Sequence, residues 1–292
     1  MAPFYNKPLR GNTREGEVSY LTQRHLSVVD ALDHATFARA WPELSCDSMH
    51  VGNEGFYGTP TRDAAFEIAR LGWAEGRKLV SKARAQMPKA SARVNVMEWD
   101  VAGSYPDPAR AAAGAPDCMV NIGNLVECPT QVIRLVVSIS TPWTTPLNEY
   151  VNRGAAILSA IEAAELCGYP VEVEVEETSH TMGQGFSCSI VLKQAGHPAD
   201  LDSLAFFLIH PSSLRRVFFA LLETERDRIT MQVGYGRPAR RPSSLHKPGD
   251  IYLPNFATGE FTSPAMAHGL VQRAFKAVGC AVEFHDAISS AG

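Results

Sequence analysis

No stretch of the chain reaches 18 consecutive apolar residues, which excludes a single membrane-spanning helix and a membrane partner. Cysteine is scarce. Cys46, Cys118, Cys128, Cys167, Cys188 and Cys280 form neither a CxxC pair nor any zinc spacing, so no metal site and no cofactor is expected from them. Cys167 on an apolar helix and Cys188 in an apolar strand read as reduced thiols acting as small hydrophobes. Charge of one sign is also lacking. With 27 Lys and Arg against 31 Asp and Glu the formal net charge is -4, so the surface as a whole does not suit nucleic acid, and only a local basic patch does. The phosphate-cradling Walker pattern, GxGxxG and the GxSxG nucleophile elbow are absent. The polar opening MAPFYNKPLRGNTREGE has no apolar h-region, so the expected compartment is the cytoplasm.

What is present suits a globular α/β chain. Hydrophobic residues make up 45% of the 292 and charged residues 20%, enough for a sizeable core. Residues 1–24 are polar, with Pro3, Pro8, Gly11 and Gly16, and read as an extended arm through which copies of the chain could associate. Residues 25–90 read as helical and pack on a core domain at 91–292. In this region Leu26, Val29, Leu32, Ala35 and Phe37 carry a helical period, and Thr59-Pro60-Thr61 opens a helix that bends near Gly72. RVNVMEWDV alternates as a strand, and the Pro/Gly/Ala-rich segment 102–130 reads as a long connection of the kind that binds partners.

The central unit is a buried strand at 132–139, a helix over 149–166 capped by Asn148 and stopped at Gly168, and a strand from Val171. In that strand Val171, Val173 and Val175 alternate with Glu172, Glu174 and Glu176, which predicts one wet face and a place near a sheet edge. It pairs as a hairpin with 186–192 across TSHTMGQG. Helices follow from Asp200 or Asp202 and from Pro211, then a short strand in DIYLP, a helix from Ser263-Pro264, and a closing strand in CAVEFH. The alternation predicts a three-layer, Rossmann-like α/β fold with a mostly parallel sheet, an antiparallel edge hairpin and an N-terminal helical extension.

Several groups draw attention as candidate binding residues. Ser138, Ser140 and Thr141, with Thr144 and Thr145, stand at the carboxyl end of a strand before a helix, where backbone N–H groups and the helix dipole attract anions. Arg153 can fold back over that loop onto a phosphate or carboxylate, or form a structural ion pair. His210 precedes a Pro-initiated helix with Arg215 and Arg216 one turn in, an arrangement open to acid–base work or to a Ser212 cap with surface arginines. Asp200 and Asp202 read as helix caps or as a carboxylate pair. The one locally basic stretch, GYGRPARRPSSLHKPGD, holds Arg237, Arg240, Arg241 and Lys247 with Tyr235 and His246 as ring faces for bases and phosphates. Cys118 in PDCMV needs a base beside it to act as a nucleophile.

Two resemblances follow. LVVSIST with its loop, continued by NRGAAILSAIEAAELCGYPVEVEVEE, resembles the opening of a von Willebrand factor A-like domain. That family holds a divalent metal with Asp-x-Ser-x-Ser. Here the positions are Ser138, Ser140 and Pro142, which lack the charged oxygen a hard cation requires, so no metal is implied. More broadly, FYGTPTRDAAFEIARLGWAEG, PDCMV, NRGAAILSAIEAAELCGY, DLDSLAFFLIHPSSLRRVFFALLE, GYGRP and GDIYLPNF are together similar to a family of uncharacterised tailed-bacteriophage proteins. That resemblance implies a phage or prophage origin and supplies no catalytic residues. The expected function is a non-enzymatic binding or adaptor protein for a protein partner or nucleic acid in the infected cell. The alternatives are an enzyme on nucleic acid or nucleotides using His210, Arg215 and the aspartates, and a self-assembling structural protein.

Overall fold

The computed structural model describes residues 4–13, 16–37, 54–87, 89–90, 97–103, 105–122, 131–142, 144–181, 184–225, 247–278, 280 and 284–285. The architecture is the three-layer α/β class that the alternation of elements implies, with a mixed, mostly parallel six-stranded sheet and two small antiparallel sheets of three and two strands. In chain order the elements begin with β1 (Phe4–Thr13), β2 (Gly16–His25), α1 (Val28–Phe37), α2 (Glu54–Tyr57), α3 (Arg62–Leu71) and α4 (Ala74–Arg84). Next come β3 (Lys89–Ala90), β4 (Met97–Asp100), β5 (Tyr105–Pro106), α5 (Pro108–Ala112), β6 (Met119–Ile122), β7 (Ile133–Ser138) and α6 (Leu147–Leu166). The chain continues with β8 (Val171–Thr181), β9 (Gln184–Lys193), α7 (Leu201–Ile209), a π-helical turn (Ser213–Phe218) running into α8 (Phe219–Glu223), β10 (Ile251–Leu253), α9 (Pro264–Ala277) and β11 (Phe284–His285).

The main sheet has the order β1-β2-β9-β8-β7-β10. Parallel pairings join β2 to β9, β7 to β8 and β10 to β7, and the β7–α6–β8 unit is the expected crossover between parallel neighbours. The antiparallel edge hairpin is β1–β2. Two expectations change here. Residues 4–13 and 16–25, read as an arm, are strands of the main sheet. The β8–β9 hairpin, read as close to an edge, is interior, and its strands take in most of the residues assigned to the loop between them.

Side chains alternate across a strand, so the two faces of the sheet are built separately. On one face Leu135, Val137, Val173, Val175, Phe186 and Ile190 join α1, α3, α4, α6, α7 and α9 in one continuous apolar cluster. The helices α7 and π-α8 are apolar enough to resemble a broken membrane span bent by 77°, but their residues are buried in this core, and among the described residues no single helix is long and apolar enough to cross a membrane. Local chemistry sets the helix limits. Thr61 caps α3 through Ala64 N–H, Ser263 caps α9 through Met266 N–H, and Gly72 at φ 86° makes the bend between α3 and α4. Gly154 allows close packing of α6 on α7, because a Cβ there would lie 2.7 Å from Ile209 Cγ1. Asn148 does not cap α6. The helix begins at Leu147 with Pro146 in the cap position, which leaves Asn148 in the first turn.

The opposite face is polar and buried. Glu174 is 1% exposed, which overturns the wet-face reading of β8. Arg134 of β7 reaches it at 2.6 Å and Arg24 of β2, spanning β9, at 3.1 Å. Arg134 also pairs with Asp250 at 2.6 Å, and Arg24 with Glu172 at 3.0 Å. Burial alone would raise the Glu174 carboxyl, but Arg134 and Arg24 outweigh it and hold the group below its usual range. This ladder ties four strands together. Replacing Glu174 by Ala takes from Arg134 and Arg24 the buried carboxylate they share, leaving them Asp250 and Glu172, and is expected to cost about 2–3 kcal/mol, whereas Arg70→Ala, which breaks the exposed pair with Asp33, is expected to cost about 0–1 kcal/mol. Urea unfolding of the two variants measures the contrast, and equal losses would refute it.

Candidate functional site

The carboxyl end of β7 is where an open α/β sheet places a ligand, and the first turns of α6 stand over it. Those turns carry three polar side chains, all engaged by the segment after β10. Glu149 accepts from the N–H groups of Gly259 at 2.9 Å and Phe261 at 3.3 Å. Asn152 donates to Phe261 O at 2.9 Å. Arg153 donates to Ser138 O at 2.8 Å, Pro254 O at 2.9 Å and Leu253 O at 3.3 Å. Its guanidinium stacks 4.9 Å from the Phe256 ring centre and 5.7 Å from that of Phe261. Burial lowers its pKa to about 10, which leaves it charged at neutral pH. Arg153 therefore holds carbonyl groups, and among the described residues it forms no ion pair.

The hydroxyl loop is stitched in the same way. Thr141 bonds the Tyr150 hydroxyl, and Thr144 and Thr145 approach Thr258 at 3.4 and 3.3 Å. The hydroxyls of Ser138 and Ser140 are buried with no hydrogen-bond partner among the described residues, as are those of Tyr20 and Thr22. Tyr20 and Thr22 share the polar sheet face with Ser138 by strand alternation.

His210 and Arg215 come close to this loop. With Ile139, Tyr150 and Ser213 they line a small cavity, while Ser140, Asp200 and Asp202 do not line it. His210 Nδ1 accepts from Ser212 N–H at 3.1 Å, and its ring stacks on Phe206 and meets Trp73 edge-on. Burial pulls it down to about 4, so it is neutral. Arg215 donates to Phe56 O with its guanidinium 4.3 Å from that ring centre, and Arg216 lies 4.0 Å from the Tyr57 ring centre. Both arginines are buried, not on the surface. Ser212 does not cap. It donates to Tyr57 O at 2.5 Å and bonds Thr59. Asp200 is the N-cap of α7, and Asp202 pairs with Arg77 at 3.1 Å. Cys118, Cys167, Cys188 and Cys280 are free thiols. Arg237, Arg240 and Arg241 lie outside the described residues, and Lys247 is exposed.

Two groupings were not singled out from the sequence. The first is a buried polar relay on the helix-covered face. Cys188 Sγ meets Gln23 Oε1 at 3.8 Å, and Gln23 donates to Glu225 at 2.6 Å and Thr224 at 3.3 Å. Thr224 lies 3.3 Å from His34 Nε2, and the His34 ring is 5.4 Å from that of His25. Glu177 stands opposite Cys188 in the strand register. The second lies in 97–122. This stretch is not a plain connection but a three-stranded sheet, β4-β6-β5, with α5. In it Trp99 and Tyr105 flank Val120 in one cross-strand row, on one face. Val120 is buried, while Trp99 is 46% and Tyr105 40% exposed. Trp99 Nε1 donates to Asp107 at 3.2 Å, and the Arg110 guanidinium covers the indole at 5.0 Å. Asp107 is held below the usual carboxylate range by the Arg110 N–H and the Trp99 indole. The aromatic row is thus fixed in orientation. Its sequence signal was the aromatic content of an alternating strand beside a Pro/Gly-rich segment.

These features define an α/β protein with a closed sheet end and an accessory antiparallel sheet bearing exposed aromatics. The chain belongs to the DUF7192 family, a domain of unknown function whose model matches residues 14–281. No curated protein and no solved structure matches it.

Burial lowers His25 and His210 to about 4 and raises Glu177 to about 8. The unfolded histidines take up protons below 6.5, so their contribution to stability is present above that pH and is lost as pH falls toward 4. Glu177 acts oppositely: its contribution is present below 4.5 and is lost as pH rises through 8. With two histidines set against one carboxyl, these groups place a stability maximum near pH 6.5. Urea midpoints from pH 5 to 8.5 test this. Glu177→Gln should flatten the alkaline side and steepen the acid side, where the two histidines then act unopposed.

Proposed function

We propose that this chain is a non-enzymatic recognition protein, an adaptor that docks a protein partner on the β4-β6-β5 sheet. The observation that carries the reading is the exposed row of Trp99 and Tyr105 over Val120. Strand spacing sets the two rings on backbones about 10 Å apart, the width of a slot for one side chain. Large aromatics with few rotatable bonds are the usual anchors of protein contacts. Val101, 71% exposed, adds apolar area at the end of the same strand. The surroundings are acidic, with Asp100, Asp107 and Asp117 set against Arg110. Such a rim favours a partner with apolar and cationic side chains and disfavours phosphate. The acid–base reading of His210 and the aspartates loses support because His210 packs against rings while Asp200 and Asp202 serve α7 and Arg77. Self-association through residues 1–24 is weakened as a separate role, because 16–25 form an inner strand. The likeness to tailed-phage proteins supports a partner in the cytoplasm of an infected cell.

The test is to recover the tagged protein from infected cells after nuclease treatment and identify what stays bound in stoichiometric amount. The partner's affinity is then measured with Trp99→Ala and Tyr105→Ala. Each change is expected to weaken binding by about 2 kcal/mol, roughly thirtyfold, as for an anchor residue. Unaltered affinity in both folded variants would refute the docking site. Nuclease-sensitive nucleic acid as the bound species would move attention to Arg237, Arg240, Arg241 and Lys247.

A further inference from the structure

We propose that the cavity at the carboxyl end of β7 is a binding site for a monatomic anion of chloride's size, with the Arg215 guanidinium as its cationic wall. The cavity has a volume of about 10 Å³, and Ile139, Tyr150, His210, Ser213 and Arg215 are among the residues that line it. That is the room of a single small particle. Phosphate, sulfate and carboxylates do not fit, so the candidates narrow to water and a halide.

Charge decides between these two. Arg215 is buried and carries five N–H donors. Among the described residues its contacts are the Phe56 carbonyl and the Phe56 ring, and no carboxylate there pairs with it. Arg153 is a second buried cation, held by three carbonyls and two aromatic rings, with the Glu260 carboxylate as an electrostatic neighbour. The nearby acids are committed elsewhere: Glu149 to the N–H groups of Gly259 and Phe261, Asp200 to the α7 cap, and Asp202 to Arg77. The amino-terminal turns of the 20-residue helix α6 add positive potential at the same place. A buried cation without a counter-charge is costly, and a water fills the space without neutralising it. A halide does both. His210 presents no competing charge, since its ring is neutral and its Nδ1 is occupied by Ser212 N–H.

The experiment is thermal unfolding of the full chain in sodium chloride against sodium gluconate at equal ionic strength, gluconate being too large to enter. A ligand that binds only the folded state raises the folding constant about elevenfold at ten times its dissociation constant. The expected result is a saturable rise in midpoint with chloride, and with bromide in its place, which is lost in Arg215→Met and kept in weakened form in Arg215→Lys. Equal midpoints in chloride and gluconate would identify the occupant as water and overturn the proposal, and so would a chloride response that persists in folded Arg215→Met. Should Arg215→Met fail to fold, wild-type crystals grown in bromide decide the matter. An anomalous peak in the cavity supports the site, and its absence refutes it. None of these readouts involves Trp99 or Tyr105, so this site and the docking surface stand or fall separately.

Discussion

Arg153 carries the constraint on which the sheet end depends. A parallel strand ends with carbonyl groups that no further neighbour satisfies, and β10, only three residues long, gains little holding power from its own ladder. Arg153 answers both needs, binding the last carbonyl of β7 and two at the end of β10 from a single planar fork. Its charge persists in a buried position because carbonyl dipoles and two aromatic faces replace the lost water. Glu149 and Asn152, on the same turns of α6, hold the chain beyond β10, so the crossover helix and the edge strand are fixed as one piece.

That arrangement has a functional consequence. The crevice at the carboxyl ends of parallel strands is the usual ligand site of open α/β sheets. Here it is met by the protein's own 254–262 segment, and Arg153, Thr141, Thr144 and Thr145, which mark it in the sequence, are spent on closing it. What is left is a cavity with room for one small particle between Tyr150 and Arg215. A counter-ion there serves the same end as the carbonyls around Arg153, since it makes a buried guanidinium tolerable. The π-helical turn fits this picture, because it places Arg215 and Arg216 together against Phe56 and Tyr57.

Much of the fold was legible because it rests on local rules. The α3 cap at Thr61, the bend at Gly72, the Asp200 and Ser263 caps, the positive-φ Gly168 and the β7–α6–β8 unit follow from residues within a few positions of one another. The misreadings were of another kind. Alternating Val and Glu in β8 gives a correct period but the wrong surroundings, since Arg24 and Arg134 arrive from 150 and 40 residues away. Residues 4–25 look like an arm because proline and glycine mask the pairing of β2 with a strand 165 positions later. The same limit governed the candidate site. Residue types showed that Ser138, Arg153, His210 and Arg215 were polar groups in apolar company, but not that each would be used by backbone carbonyls, rings or a neighbouring strand.

The contrast between the sheet end and the small sheet bears on where recognition lies. A buried polar group is explained once its partners are found, and at the carboxyl end of β7 nearly all are found within the chain. Trp99 and Tyr105 are different. Exposing two large rings in one row forgoes the burial that usually stabilises aromatic side chains, and Asp107 and Arg110 hold the indole in place instead of covering it. Rigid exposed aromatics add little to the stability of their own sheet, yet they lower the entropy lost when another surface settles on them. The part of the chain that spends least on its own fold is thus the part best prepared for a partner.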